Sequence, residues 1–405
     1  MSLDIPNLRH LRAFRAVAHS RSISEASKRI FLSQPAITQA IAKLERVLDE
    51  RLFERRSDGV FITEAGSVFL RRVERAGALL ADAAREIGRN LGKRAGNTRF
   101  DHLLTTTQLR ALTAVAEAQN FTLAARAIGI SQPSLHRAAR DLEKLLDIPL
   151  FEKTSQGIGL TRAAKTLAQS AKLVFGEIRQ GYEELAALRG IERGTLVVGS
   201  MPLARTYLLP SAINDMSRSF PKTHISVIDG PYDDLLHHLR YGDIDLLLGA
   251  LRFPPPTDDI VQETLFSPPL AVVGRRNHPL AKKRRITIAD LRAYPWVVPR
   301  PETPTRRQFE QLFDDAGSQP PEQLIESGSL ILIRGLLLES DRLTLISAHQ
   351  VLHEQQMELL APLHMDLHHT RRPIGIAMRG NWQPTATQEA FLRCLRQRGR
   401  LLASQ

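Results

Sequence analysis

Apolar positions over roughly the first half of the chain recur at three- and four-residue steps, the spacing of amphipathic helices. Leu8, Leu11, Phe14 and Ala18 predict a helix over Leu8 to His19, and Ile23 to Ile30 predicts a second, shorter one. A third starts at Ser33, a good N-cap, with Pro35 tolerated in the first turn and Ile37, Ile41, Leu44 and Leu48 along one face. The short apolar pieces Leu52-Phe53 and Val60-Phe61-Ile62 then flank the turn-like Ser57-Asp58-Gly59 and predict a small hairpin. Thr63 can cap a helix to about Asn90, in which Phe69, Val73, Ala76, Leu80, Ala83 and Ile87 form a heptad seam.

The chain then writes this pattern again. Residues 33–55, SQPAITQAIAKLERVLDERLFER, and 131–153, SQPSLHRAARDLEKLLDIPLFEK, are identical at 11 of 23 positions, at a constant offset of 98 residues. Two copies are too few for a solenoid, so a duplicated small domain is the natural reading. After Thr161 the second copy has its own seam: Leu167, Ala171, Val174, Ile178, Gly181, Leu185 and Leu188. Each stripe predicts either a pairing helix or a helix packed on its own domain. Between the copies, GRNLGKRAGNTR (88–99) reads as an irregular connector.

From Gly194 short apolar runs alternate with helical segments. Leu196-Val197-Val198, Ile225 to Ile228 and Ile244 to Leu248 form one set, and a second starts at Leu270 to Val273 and continues through Trp296 to Val298 and Leu343 to Ile346. Ile374 to Ala377 reads as a return strand before a closing helix over about 386–402. Strand–helix alternation predicts open parallel sheets with right-handed crossovers, arranged as two lobes.

Composition narrows the class. A single cysteine, Cys394, excludes an intrachain disulfide framework. Neither an N-terminal signal nor an apolar run of about 18 residues is visible, which predicts a cytoplasmic, nucleoid-associated protein without a membrane partner. The net charge of +12 divides into +8 over residues 1–100, +1 over 101–192 and +3 over 193–405, so a polyanionic partner is expected at the first module.

The third helix offers that partner Ser33, Gln34, Pro35, Ala36, Thr38, Gln39 and Lys43, short or amide side chains for base edges with a lysine for phosphate. Arg55 and Arg56 at the hairpin base suit a neighbouring backbone. The second copy presents Gln132, Ser134, His136, Arg137 and Arg140, but Asp141 replaces Lys43. It either reads a different sequence or has become an interface; changes at Gln132 and Arg137 are expected to matter less than changes at Gln34 and Gln39.

Residues 20–66, SRSISEASKRIFLSQPAITQAIAKLERVLDERLFERRSDGVFITEAG, closely resemble the winged-helix N-terminal domain of LysR-type transcriptional regulators, and 121–161, FTLAARAIGISQPSLHRAARDLEKLLDIPLFEKTSQGIGLT, resemble it equally well. Typical members have one such domain, so the doubling departs from the pattern. Residues 193–405 more loosely resemble the effector domain of the same regulators, similar in fold to periplasmic solute-binding proteins.

The resemblance implies a multidomain chain, two α-rich winged helix-turn-helix domains with linker helices followed by a two-lobed α/β effector domain. The expected limits are 1–62 and 63–91 for the first winged domain and linker helix, 92–104 for the connector, 105–161 and 162–192 for the second pair, and 193–405 for the effector domain. Within that domain lobe 1 takes about 193–269 with 370–405, and lobe 2 about 270–369. Implied partners are double-stranded promoter DNA, a small effector such as an organic acid or sugar, a second copy forming a homodimer or homotetramer through the linker helices, and RNA polymerase as a candidate.

Position after predicted strands and at helix starts nominates Ser200, Met201, Pro231, Tyr232, Arg300, Thr303, Ser329 and Ser347 for the effector. His237, His238, His364, His368 and His369 lack the carboxylate or cysteine that would complete a metal set. With no phosphate loop or nucleophile elbow, neither catalysis nor a cofactor is expected. The competing reading is a solute-binding module or enzyme with helical appendages.

Overall fold

The computed structural model describes residues 5–57, 59–91, 100–155, 157–191, 194–301 and 303–404; the side chain of Arg55 and most of the expected connector, 92–99, lie outside the described residues. The chain divides into two compact units, Met1–Gly194 with Tyr241–Asp243, and Thr195–Arg240 with Ile244–Gln405.

In the first unit one order of elements occurs twice. It runs α1 (Leu8–Ser20), α2 (Ile23–Ile30), α3 (Gln34–Leu48), β1 (Phe53–Arg56), β2 (Gly59–Ile62) and α4 (Glu64–Leu91), then α5 (Thr106–Ala118), α6 (Phe121–Ala127), α7 (Gln132–Leu146), β3 (Phe151–Thr154), β4 (Gly157–Leu160) and α8 (Arg162–Leu188). The same local devices build both copies. Glu45 Oε1 accepts the N–H groups of Leu52 at 2.8 Å and Phe53 at 3.3 Å, and Glu143 Oε1 those of Leu150 and Phe151 at the same distances. The glutamate of each Leu-Glu pair thus fastens the hairpin to the helix before it.

Arg21 and Gln119 end α1 and α5 in the left-handed region, turning their carbonyls toward the hairpins. There they accept from Val60 N–H at 3.2 Å and Ile158 N–H at 2.9 Å. Gly59 (φ +147°) and Gly157 (φ +136°) make this approach possible, since a Cβ at either would meet those carbonyl oxygens at 3.2 and 2.8 Å.

The seam residues of α4 are all buried, but not within one copy: α4 packs antiparallel along α8 of the same chain. Contacts run from Phe69 with Tyr182 (ring centroids 6.4 Å apart), through Arg72 with Gln180 (2.8 Å), to Glu86 with Thr166 (3.3 Å). A Cβ on Gly181 would stand 2.9 Å from the buried Phe69 ring, so glycine sets the helix spacing there. One apolar core accordingly includes Leu8, Leu11 and Phe69 of the first copy with Leu109, Leu112 and Val174 of the second.

The expected linker helices are α4 and α8. Their apolar seams already cover each other within one chain. Leu188, expected in the seam, is 45% exposed because α8 ends there beyond its partner.

The second unit contains two five-stranded sheets. The first combines β5 (Thr195–Ser200), β6 (His224–Asp229), β7 (Leu246–Ala250), β8 (Ile260–Phe266) and β14 (Ile374–Arg379), in the order β6-β5-β7-β14-β8. The second combines β9 (Leu270–Arg275), β10 (Trp296–Val298), β11 (Leu324–Glu326), β12 (Leu343–Ser347) and β13 (Leu360–Pro362), in the order β11-β10-β12-β9-β13.

Helices α9 (Leu208–Ser219), α10 (Tyr232–Tyr241) and α15 (Ala386–Ala403) accompany the first sheet. In the second lobe lie α11 (Ile288–Arg292), α12 (Pro304–Asp314), α13 (Leu330–Leu338) and α14 (Leu352–Gln356). The sheets are mixed rather than purely parallel: β14 runs antiparallel to β7 and β8, and β9 to β12 and β13. The chain crosses between lobes twice, and a strand that enters after a crossing does so from the opposite end. Among the described residues no helix is long and apolar enough to cross a membrane.

Trp296, Phe309 and Phe313 fill the second lobe, with ring centroids 5.1 to 6.0 Å apart. His278 beside this core is fully buried; its Nδ1 accepts Leu280 N–H at 3.1 Å, which leaves Nε2–H to donate to the Asp341 carbonyl at 3.1 Å. Burial holds its pKa below the ordinary histidine range although the Asp341 carbonyl opposes this. Because the folded pKa is lowered, the stability tied to the neutral ring is intact above about pH 6.5 and is lost as pH falls through the folded value. Urea unfolding followed by tryptophan fluorescence should therefore show a drop between pH 7.5 and 5.5 that is smaller in His278→Gln; equal drops would refute the assignment.

Candidate DNA and effector sites

The face of α3 opposite its buried residues Ile37, Ala40, Ile41, Leu44 and Leu48 is open. Gln34, Pro35, Gln39 and Lys43 are exposed, and Ala36 and Thr38 are half-buried. Together with Ile23 and Ser27 of α2, most of these side chains line a shallow groove. Ser33 stands at the N-cap position, but its side chain makes no capping bond. In α7 the equivalent Ser131 accepts from Ser134 N–H at 3.3 Å and pairs with the Ser134 hydroxyl at 2.8 Å. Ala36 has no hydroxyl to hold Ser33 in that way, so the Ser33 hydroxyl is free to turn outward.

On the hairpin, Arg56 pairs with Glu54 at 3.0 Å and lies over the Phe61 ring at 5.0 Å. Its guanidinium is held at the hairpin rather than extended. The second face is open as well: Gln132, Ser134, Arg137 and Arg140 are exposed, and nothing in the first unit covers them. His136 differs, stacking on Phe121 with centroids 4.0 Å apart. That ring supports the fold of the second copy and stiffens one position of its recognition face.

The effector candidates divide by role. Ser200 is buried at the end of β5, and Met201 packs over Gly249 of β7. Thr303 caps α12 by accepting from Arg306 N–H at 3.2 Å while donating to the Arg300 carbonyl at 2.9 Å, and Ser329 caps α13. Ser347 is buried at the end of β12, and its N–H donates to Gln350 Oε1. Pro231 is exposed and precedes Tyr232, whose hydroxyl is buried without a hydrogen-bond partner. The Arg252 guanidinium lies 3.6 Å over the Tyr232 ring. No hydrogen bond joins the candidates of one lobe to those of the other among the described residues.

The sequence reading missed the cationic group of Arg372, Arg307 and Arg252. Arg372, on the second crossing between lobes, donates from its backbone to the Pro268 carbonyl of the first crossing at 3.3 Å and from its guanidinium to Thr305 Oγ1 at 3.4 Å. Burial, then the like charges of Arg307 and Arg252, hold its pKa below the ordinary arginine value. Among the described residues no carboxylate pairs with Arg372; Asp233, at 3.0 Å from Arg252, is 79% exposed. A guanidinium set among like charges without a carboxylate partner favours a bound anion. Basic residues just after a strand and on a lobe crossing, Arg252 and Arg371-Arg372, were the available signal. Among the described residues no group of three or more His, Cys, Asp or Glu could hold a metal ion.

An open recognition helix in an N-terminal helix-turn-helix, combined with a two-lobed α/β domain, defines an effector-responsive DNA-binding regulator of transcription. The pattern of the bacterial regulatory helix-turn-helix proteins of the lysR family matches residues 8–67 and 106–165, and that of the LysR substrate binding domain matches 189–400. The HTH-type transcriptional regulator GalR of Pseudomonas putida is 33% identical over 397 residues, 98% of either chain. The regulator CbbR of Xanthobacter flavus is 30% identical over 248 residues, 61% of this chain and 74% of that one.

The chain belongs to the LysR family of transcriptional regulators, and its relatives are regulators rather than enzymes. Two solved structures share the fold. A full-length OxyR variant from Pseudomonas aeruginosa (TM-score 0.55, 23% identity) covers 74% of this chain and 95% of its own, and the LysR-family regulator CbnR (TM-score 0.50, 23% identity) covers 73% and 99%. About a quarter of this chain has no counterpart in those folds.

Proposed function

We propose that both helix-turn-helix copies are DNA-reading domains, and that an anionic effector, a small organic acid rather than a sugar, binds between the lobes. The observation that carries the DNA reading is the open polar face of α3, matched by an open face on α7. For the first copy the readers are Ser33, Gln34, Pro35, Ala36, Thr38, Gln39 and Lys43, with Arg55 and Arg56 at the backbone; for the second they are Gln132, Ser134, His136, Arg137 and Arg140. The domain limits proposed are those read from the sequence.

The effector reading rests on Arg252 over the Tyr232 ring, whose hydroxyl is buried without a hydrogen-bond partner, and on Arg372, held among the like charges of Arg307 and Arg252 with no carboxylate paired to it among the described residues. A carboxylate there would satisfy the Tyr232 hydroxyl and the guanidinium charge together, with Thr303, Thr305 and the other pocket candidates shaping the rest. It would act on transcription only by binding one arrangement of the lobes better than another. Contact with RNA polymerase belongs to the same reading.

DNase footprinting upstream of the gene, with and without organic acids, tests the regulator assignment: protection that an acid alters is expected, and none under any condition overturns it. Melting scans with organic acids and sugars test the effector class. A saturating acid should raise the effector-unit transition, a 100-fold excess over Kd being worth about 2.7 kcal/mol. Arg372→Gln should abolish that rise, and a rise confined to sugars refutes the anionic reading.

A further inference from the structure

Leu8 N–H donates to Thr106 Oγ1 at 3.0 Å across 98 residues, the repeat offset itself. A residue can touch its own repeat-mate only near an axis that exchanges the copies. The antiparallel crossing of α4 and α8, in which one index falls as the other rises, obeys the same axis. The two modules are therefore related as the halves of a twofold dimer, within one polypeptide.

The contacts that seal this pair are unlike on its two sides. Arg72 is 3% exposed; its Nη1 donates to Glu177 Oε2 at 2.9 Å and to Gln180 Oε1 at 2.8 Å, and its Nε to Glu184 Oε2 at 3.1 Å. Arg75 joins Glu177 at 2.9 Å. The repeat-mate of Arg72 is Ser170. Two α8 helices from different chains, paired in this way, would bury Glu177 opposite Ser170 with no guanidinium, which is costly. Thr106, which also donates to the Pro6 carbonyl at 3.0 Å, has Leu8 as its mate, so a like pair cannot reproduce that bridge either.

We infer that a single chain is a complete DNA-reading pair, with α3 and α7 taking two unlike half-sites, so that its target is a non-palindromic element read by one polypeptide. The symmetry of a site mirrors that of its reader. Here Thr38, Gln39, Ala42 and Lys43 are matched by His136, Arg137, Arg140 and Asp141, so the halves must differ. The inference rests on the reading that both helices contact DNA.

The test is selection of bound duplexes from a randomised library by the full chain, repeated with Gln39→Ala and Arg137→Ala. Two unlike halves are expected. Each substitution should relax one half alone, with a loss of roughly 5- to 150-fold against the best sequence for Gln39→Ala and a smaller one for Arg137→Ala. A palindrome relaxed in both halves by Gln39→Ala, or a site indifferent to Arg137→Ala, overturns the inference but leaves DNA binding intact; recovery of no sequence at all sinks the DNA reading itself. Independently, Glu86→Cys with Thr166→Cys in a Cys394→Ser background should be joined by a short bismaleimide into a product of single-chain mass. A product of two-chain mass, or no cross-link, overturns the intrachain pair.

Discussion

Replacing Gln39 by alanine is expected to lose about 1–3 kcal/mol of discrimination at a base pair in the target, with little change in binding to unrelated DNA. Gln39 is exposed on α3 immediately after the half-buried Thr38, and its amide can donate and accept together at a purine edge. Lys43→Ala should behave differently. A lysine on phosphate carries no sequence information, so affinity should fall for all DNA and the salt dependence should flatten by about one counterion. Gln132→Ala and Arg137→Ala are expected to cost less, because Asp141 stands at the position of Lys43 and a carboxylate repels phosphate. Fluorescence anisotropy titrations at several salt concentrations, with specific and scrambled duplexes, separate these effects. An equal loss from both copies would remove the asymmetry.

Most of the helices and the order of elements were legible, because burial follows the local 3.6-residue period. Ile37, Ile41, Leu44 and Leu48 had to face inward on any helix that contained them. Glu45 was visible as part of a motif, but its work is tertiary: it satisfies two backbone N–H groups seven and eight residues on. The partner of each heptad seam was not legible either. A stripe states that it must be covered and does not state by what. Arg72 and Arg75 on one helix against Glu177 and Glu184 on the other were a usable clue to the pairing, since four charges near an apolar seam need each other. In the effector unit Tyr232 was found by its place after a strand. Arg252 reaches it from the end of a strand and Arg372 meets Arg252 from a lobe crossing, and only the folded chain makes the two arginines neighbours.

The second large effect expected is on stability. Arg72→Leu removes the counter-charge from Glu177 and Glu184, whose side chains are 8% and 18% exposed. Breaking a buried pair from one side costs about 3–5 kcal/mol, mainly because the stranded carboxylate stays out of water. The two units need not unfold together, so a single free energy for the chain is undefined. The sequence separates the signals: the only tryptophans, Trp296 and Trp382, lie in the effector unit, whereas the first unit is mainly helical. In urea, Arg72→Leu should lower the midpoint of the far-ultraviolet helical transition and leave the tryptophan transition in place. Adding Glu177→Leu and Glu184→Gln should recover much of the loss, because the stranded carboxylates are removed and only Arg75, which is 21% exposed, keeps its charge. If Arg72→Leu leaves the helical transition unmoved, the cluster does not hold α4 to α8. If the triple variant unfolds no later than the single one, the loss came from packing and not from charge.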